Sequence, residues 1–273
     1  MAHETEAAAI DYGSGRPSVA RMYDFYLGGK DNYPVDQAAA EKMMAAVPES
    51  VRMVRVNRAF LAAAVHHLAA EAGIRQFLDI GSGLPTQQNV HEVAQAVSPD
   101  TRVVYVDHDP LAVAHGQALL ATNERVRYIN GDLLRPETIL GHPDVREVID
   151  FDQPVAVLIV AILHFVSDAD DPVGIVGRLR DAMSEGSYLA ISHVLDDPRP
   201  RAIGEILVAA GAPPWSPRTP EKVLRFFDGF ELIDPGLATL SKWHPPAPAH
   251  GSAQLPGATR ELRWQLAGVG RKR

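Results

Sequence analysis

The sequence predicts an α/β protein built on one mostly parallel, doubly wound sheet of seven strands, with helices ahead of it and an antiparallel pair at its end. Three observations support this. From Gln76 onward, near-continuous apolar runs alternate with helix signals, as expected for strands buried on both faces and joined by crossover helices. The first run ends in a glycine turn, Gly81-Ser82-Gly83, that opens a helix, at the place where doubly wound sheets bind ligands. The last two strand candidates, 230–233 and 261–269, have no obvious crossover helix between them and should pair antiparallel.

Taken in order, residues 1–17 are polar and glycine-containing and read as a flexible arm. From Ser18, Val19, Met22, Tyr23 and Tyr26 fall at helical spacing, and Gly28-Gly29 supply a stop. A second helix covers roughly 35–47 and is closed by Pro48. A third starts near Ser50, carries Val51, Val54, Leu61, Val65 and Leu68 along one face, and ends at Gly73. Residues 18–75 thus form a helical cap or lid, and 76–273 a sheet domain. The five parallel strand candidates are Gln76–Ile80, Arg102–Asp107, Val126–Asn130, 155–163 and 187–193. Between them, Val90, Val93, Ala94 and Val97 mark one helix face; Asp109-Pro110 and Asp171-Pro172 each supply a cap and a first-turn proline. A helix near 201–210, the Pro-rich loop 212–217 and a helix opening at Thr219-Pro220 lead to the final pair, whose strands flank a Pro-, Gly-, Ala- and His-rich stretch at 245–257.

At 273 residues and 46% hydrophobic composition the chain can bury one large core, with or without a smaller appendage. The formal net charge of -8 and the absence of a basic stripe disfavour a nucleic-acid partner, which needs concentrated Lys and Arg. The basic cluster Arg271-Lys272-Arg273 reads as a solvated tail. With no cysteine, disulfides, thiolate metal sites and a cysteine nucleophile are excluded. His66-His67, His244 and His250 lack metal-ligand spacing, so no metal is expected. The first residues lack the features of a secretory signal, and the longest apolar run is far short of a membrane span. A cytoplasmic protein without membrane attachment is the expectation.

The candidate ligand site starts at Asp79-Ile80-Gly81-Ser82-Gly83-Leu84-Pro85. Its glycines permit a tight turn and close approach of a ligand to the backbone. The second strand ends at Asp107, where a carboxylate can accept both hydroxyls of a nucleoside ribose. The competing reading of Asp107 is a helix cap, a role Asp109 already fills. After the third strand, Asp132 can accept from an adenine amino group and Leu133 can cover the ring; the alternative for Asp132 is a plain turn residue. A dinucleotide fingerprint asks for a third small residue where this chain has Thr86, and Pro85 intrudes. S-adenosylmethionine carries an amine and a carboxylate instead of a pyrophosphate. Asp79 can pair with its ammonium, loop N–H groups can serve its carboxylate, and Arg58 can meet that carboxylate in a bidentate contact or be a surface arginine.

The segments SVARMYDFYLGGKDNYPVD, NRAFL, FLDIGSGLPT, VVYVDHDP, RFFDGFEL and GVGRK resemble a bacterial S-adenosyl methyltransferase family long catalogued as a domain of unknown function. The resemblance runs from Ser18 almost to the last residue. It implies a class I methyltransferase, Rossmann-like fold, whose sheet has its last strand antiparallel, and S-adenosylmethionine as cofactor; it implies no particular substrate. Carried onto this chain, the candidate cofactor contacts are Asp79, Gly81, Ser82, Gly83, Leu84, Asp107, His108, Asp132, Leu133 and Ala161, with Arg58 and Tyr26 from the cap.

Methyl transfer from a sulfonium needs an in-line nucleophile, and positioning alone supplies much of the acceleration. Strand C-termini collect chemistry in such sheets, which points to His164, after the fourth strand, as a general base, with His193 as the second choice. The alternative for each is a hydrogen-bonded packing residue, the commoner fate of a histidine near an apolar segment. No Asn-Pro-Pro-Tyr-like tetrad follows the fourth strand, as an amino-methyltransferase of nucleic acid would require. The acceptor expected is a small molecule. Two other readings are a non-catalytic cofactor-binding regulator and a dinucleotide-dependent oxidoreductase.

Overall fold

The computed structural model describes residues 15–85, 88–121, 123–243 and 262–273. Most of the arm at 1–17, Thr86, His244, His250, the 245–257 stretch and the first residue of the 261–269 candidate lie outside the described residues.

Three helices come first: α1 (Val19–Leu27), α2 (Pro34–Ala46) and α3 (Ser50–Ala70). The alternating part follows as β1 (Gln76–Ile80), α4 (Val90–Val97), β2 (Arg102–Asp107), α5 (Pro110–Leu119), β3 (Val126–Asn130), α6 (Pro136–Leu140), α7 (Pro143–Val148), β4 (Ala156–Val160), α8 (Pro172–Ala182) and β5 (Tyr188–Val194). Then come α9 (Pro198–Ala209), α10 (Pro220–Leu224), β6 (Phe230–Leu232), β7 (Ala238–Thr239) and β8 (Gln265–Lys272). The strand order is β3-β2-β1-β4-β5-β8-β6, with β7 also paired to β8. β1 to β5 run parallel, and β8 is antiparallel to β5, β6 and β7.

The expected last strand is therefore antiparallel, but the sheet has eight strands rather than seven. The extra one, β7, is two residues long, too short to leave a period in the sequence. The fourth strand stops at Val160 rather than at 163, because Ala161 takes a left-handed φ of 61° and turns the chain out of the sheet. Asp109 and Asp171 cap α5 and α8 as expected, accepting from the N–H groups of Leu111 and Gly174.

Each central strand is largely apolar because it feeds two cores. Leu78, Val104, Val157 and Ile191 pack on one face against Ile139, Val145 and Leu179 of α6, α7 and α8. Phe77, Val103, Leu158 and Ala190 pack on the other against Leu61, Val65 and Leu68 of α3 and Ala94 of α4. Full burial of each Val, Leu, Ile or Phe among these contributes roughly 1.5–3 kcal/mol. A third core joins Met22, Tyr26, Met43 and Val54 to Ile203 and Leu207 of α9 and to Trp264. α3 thus serves two structures: its first turns belong to the cap, whereas from Phe60 onward it is one of the layers covering the sheet. None of the described helices is long and apolar enough to cross a membrane.

Candidate functional site

A cavity of about 430 Å3 opens at the C-terminal ends of β1, β2 and β4 and is roofed by α1 and by the segment before it, a size ordinary for a small-ligand site. The chain order reverses at β1, between β2 and β4, so the diverging loops leave the crevice that such sheets use for ligands.

The glycine turn after β1 is fastened on every side. The N–H groups of Gly81 and Ser82 donate to Val106 O at 2.7 and 3.1 Å, and that of Gly83 donates to Asp107 Oδ2 at 2.8 Å. The Tyr128 hydroxyl donates to Gly83 O at 2.6 Å and accepts from Ser82 Oγ at 2.9 Å. Gly81 sits at φ 76°, and a Cβ there would lie 2.3 Å from the Ile162 side chain, so any larger residue is strained and must displace Ile162. Tyr128 reaches the turn by stacking on Tyr105 and packing over Gly116 of α5, where a Cβ would lie 1.9 Å from its ring.

These bonds correct one expectation: the N–H groups of Gly81, Ser82 and Gly83 are committed within the protein and do not face a ligand's carboxylate. They also do not form the cradle a pyrophosphate needs, which counts against a dinucleotide. Ionisable side chains on the wall include Asp79, Arg58, Asp107 and His108 around the glycine turn, together with Arg16, Arg21, Asp24 and Asp109. Asp79 is 5% exposed, and burial raises its carboxyl pKa to about 7, with Arg58 opposing and Asp107 adding to the rise. Asp107 is also raised, first by burial, while the N–H groups of Asp109 and Gly83 hold it down. His108 Nδ1 stands 3.7 Å from Asp107 Oδ1 on the open side. Arg58 donates to Gln88 O at 3.0 Å. The set is a carboxylate for an ammonium, a second carboxylate for a diol and a guanidinium for a carboxylate. It suits the amine, the carboxylate and the ribose of S-adenosylmethionine.

Leu84, Leu133 and Ala161 line the same cavity; with Asp79, Gly81, Ser82, Gly83, Asp107, His108 and Arg58, ten of the expected contacts are brought together. Two are not. Tyr26 is buried in the cap, its hydroxyl on Met43 Sδ at 3.1 Å and Ala40 O at 3.4 Å, and it does not line the cavity. Asp132 makes a turn instead, accepting from Leu134 N–H at 2.9 Å and meeting Arg135 at 3.4 Å; its neighbours Gly131 and Leu133 reach the wall.

His164 is also withdrawn. It is 3% exposed, packed between the rings of Phe165, His193 and Trp215, and absent from the cavity wall. Burial first, then His193 and Arg218, hold its pKa well below the usual histidine range, so it stays neutral behind Phe165. His193 Nδ1 donates to Val194 O at 2.7 Å, leaving Nε2 to accept from Arg218 at 3.0 Å. Both histidines pack. Arg218, which the sequence did not single out, also donates to Leu163 O, Val166 O and Asp168 and thereby shapes the chain after β4. Among the described residues, no group of three or more His, Cys, Asp and Glu could hold a metal ion.

A further polar chain reaches the wall from the sheet. Ala161 N–H donates to Ser192 Oγ at 2.9 Å, Ser192 Oγ donates to Asn57 Oδ1 at 2.5 Å, and Asn57 Nδ2 donates to the Tyr23 hydroxyl oxygen at 3.0 Å. Tyr23 and Asn57 both line the cavity. The cap is pinned over the site by Ser18 Oγ, which donates to Asp109 Oδ2 at 2.8 Å.

Comparison with known proteins agrees with this geometry. A candidate methyltransferase from Thermobifida fusca YX is 42% identical, with 98% of this chain and 100% of that one covered at a TM-score of 0.86. A DUF574 family protein from Streptomyces avermitilis is 39% identical over 96% of this chain and all of its own, at a TM-score of 0.87. PigF with SAH, 16% identical over 92% of this chain and 62% of its own at a TM-score of 0.51, shares the fold. No relative is found among curated proteins. The family model described as S-adenosyl methyltransferase matches residues 3–273. With the fold, the cavity and the donor set in agreement, the chain belongs to the S-adenosyl methyltransferase family.

Proposed function

We propose that this S-adenosylmethionine-dependent methyltransferase acts on a small, partly apolar molecule held at the cavity end formed by Phe165, Ala212 and Pro213. The observation that carries this is the mixed lining of one cavity: Asp79, Arg58 and Asp107 share it with Phe165, Ala212 and Pro213. Asp79 and Arg58 hold the amino-acid end of the cofactor, and Asp107 with His108 holds its ribose. Leu84 and Leu133 cover its base. When bound, the cofactor supplies an electrophilic methyl group; the protein orients the acceptor and excludes water. α1, α2 and the first turns of α3 act as the cap. A roofed cavity and a net charge of -8 favour a small acceptor over a nucleic acid, which would need an open, basic groove.

The test has two stages. Calorimetry should show binding of S-adenosylmethionine and no comparable binding of a dinucleotide. A mass-spectrometric screen of small metabolites with methyl-labelled cofactor should then yield a labelled small molecule. Failure to bind the cofactor, or label appearing only in protein or nucleic acid, would overturn the reading.

A further inference from the structure

We propose that the Tyr23 hydroxyl oxygen contacts the methyl end of the bound cofactor and makes the protein favour the sulfonium over its thioether product. The inference rests on S-adenosylmethionine occupying the cavity as above. Its polar anchors, Asp79 and Asp107, share one cavity with Ala161, Tyr23 and Phe165, and the proposal places the transferable methyl beside Ala161. The polar atoms linked to that point are those of the chain from Ala161 through Ser192 and Asn57 to Tyr23.

That chain fixes which way each group faces. Ser192 Oγ spends its one proton on Asn57 Oδ1, and Gln265 Nε2 approaches the same oxygen at 3.4 Å. The amide therefore presents its NH2 to Tyr23 and cannot flip without losing both bonds. The phenol oxygen accepts from Asn57, and its proton points to Val54 O at 3.3 Å. A hydroxyl has two acceptor lone pairs, so one is left for the cavity. Methyl hydrogens on a sulfonium carry positive charge and are good partners for such a lone pair; the thioether left after transfer has no such methyl. Burial raises the Tyr23 pKa, keeping the oxygen a neutral acceptor rather than a competing phenolate nucleophile. Asn57, Ser192 and Gln265 are 3%, 0% and 1% exposed, so water does not compete for the hydrogen bonds that fix the orientation of the chain.

The experiment is calorimetry of wild type and Tyr23→Phe with S-adenosylmethionine and, separately, S-adenosylhomocysteine. The expected result is a loss of about three- to fivefold for the sulfonium, the worth of one C–H···O contact, with the thioether unchanged within about twofold. Proportionate loss for both, or for neither, overturns the proposal, since a packing role would not tell them apart. Wild type binding neither compound overturns the cofactor reading and this inference with it. Methyl-13C-labelled S-adenosylmethionine gives a second readout that holds even if the variant is poorly folded. In wild type the bound methyl proton resonance should lie downfield of the free one, and a resonance at or upfield of the free value overturns the contact.

Discussion

Replacing Asp79 with Asn should stabilise the ligand-free protein above neutral pH while weakening cofactor binding. Burial lifts the Asp79 pKa from 3.8 to about 7, so the charged form is disfavoured in the folded state. At about 1.4 kcal/mol per pH unit this amounts to roughly 4 kcal/mol as an upper figure, of which half is a fair expectation once water reaches the open cavity. The sign follows from proton counts. Between pH 4 and 7 the folded state binds more protons than the unfolded one, so this residue's penalty grows as pH rises through that window and is complete above about 7. Below pH 4 it is absent. Urea melts without ligand should therefore show Asp79→Asn more stable than wild type by about 2–4 kcal/mol at pH 8, and nearly equal to it at pH 4. Cofactor pairing needs the carboxylate. Wild-type affinity should accordingly rise with pH up to about 7 and level off, with proton release on binding at pH 6 seen as a buffer-dependent calorimetric enthalpy. Equal stabilities of the two proteins at pH 8 would refute the account of Asp79 as a charge held against its solvation.

Three further outcomes follow from the site. Asp107→Ala should weaken S-adenosylmethionine at least about tenfold by calorimetry, and ligand-free melts should fall modestly, because the N–H groups of Gly83 and Asp109 lose their acceptor. Gly81→Ala should destabilise by roughly 2 kcal/mol or more, since φ 76° is strained for alanine and its Cβ would meet Ile162 at 2.3 Å; adding Ile162→Ala should recover part of the melting temperature. His164→Phe should leave cofactor affinity unchanged and raise stability by about 1 kcal/mol, because Nδ1 of His164 is buried without a hydrogen-bond partner. A changed affinity in that variant would return His164 to the site.

The first three strands are legible in the sequence to the residue because a strand buried on both faces is an apolar run with polar ends. The fourth is overread for the same reason: Ala161, Ile162 and Leu163 are apolar too, but Ala161 and Ile162 line the cavity rather than extend the ladder. The short helices α6 and α7, of five and six residues, pass unseen, being too brief for a helical period. In the site, glycines and strand-end acids announce themselves locally. What a side chain does with its far end does not: Tyr26 and Tyr23 sit on one helix, and only the fold sends one into the cap core and the other to the cavity. The roles of Tyr128 and Arg218 depend on partners 45 and 50 residues away. No pattern along the chain could reveal them.

The placement of β8 also sets an order of assembly. It follows β5 and β6 in sequence, yet lies between them in the sheet, so neither can complete its hydrogen-bonded ladder until β8 has been synthesised. A nascent chain that has made everything up to Trp243 exposes the open edge of β5, most of whose residues are apolar, and leaves β6 without a neighbour. Such edges invite pairing with other chains. Val194 and Trp264 share a core with the cap, so the same late event also completes the footing of α1 and α2. The lid is translated first, and Trp264 adds the last of its described core contacts.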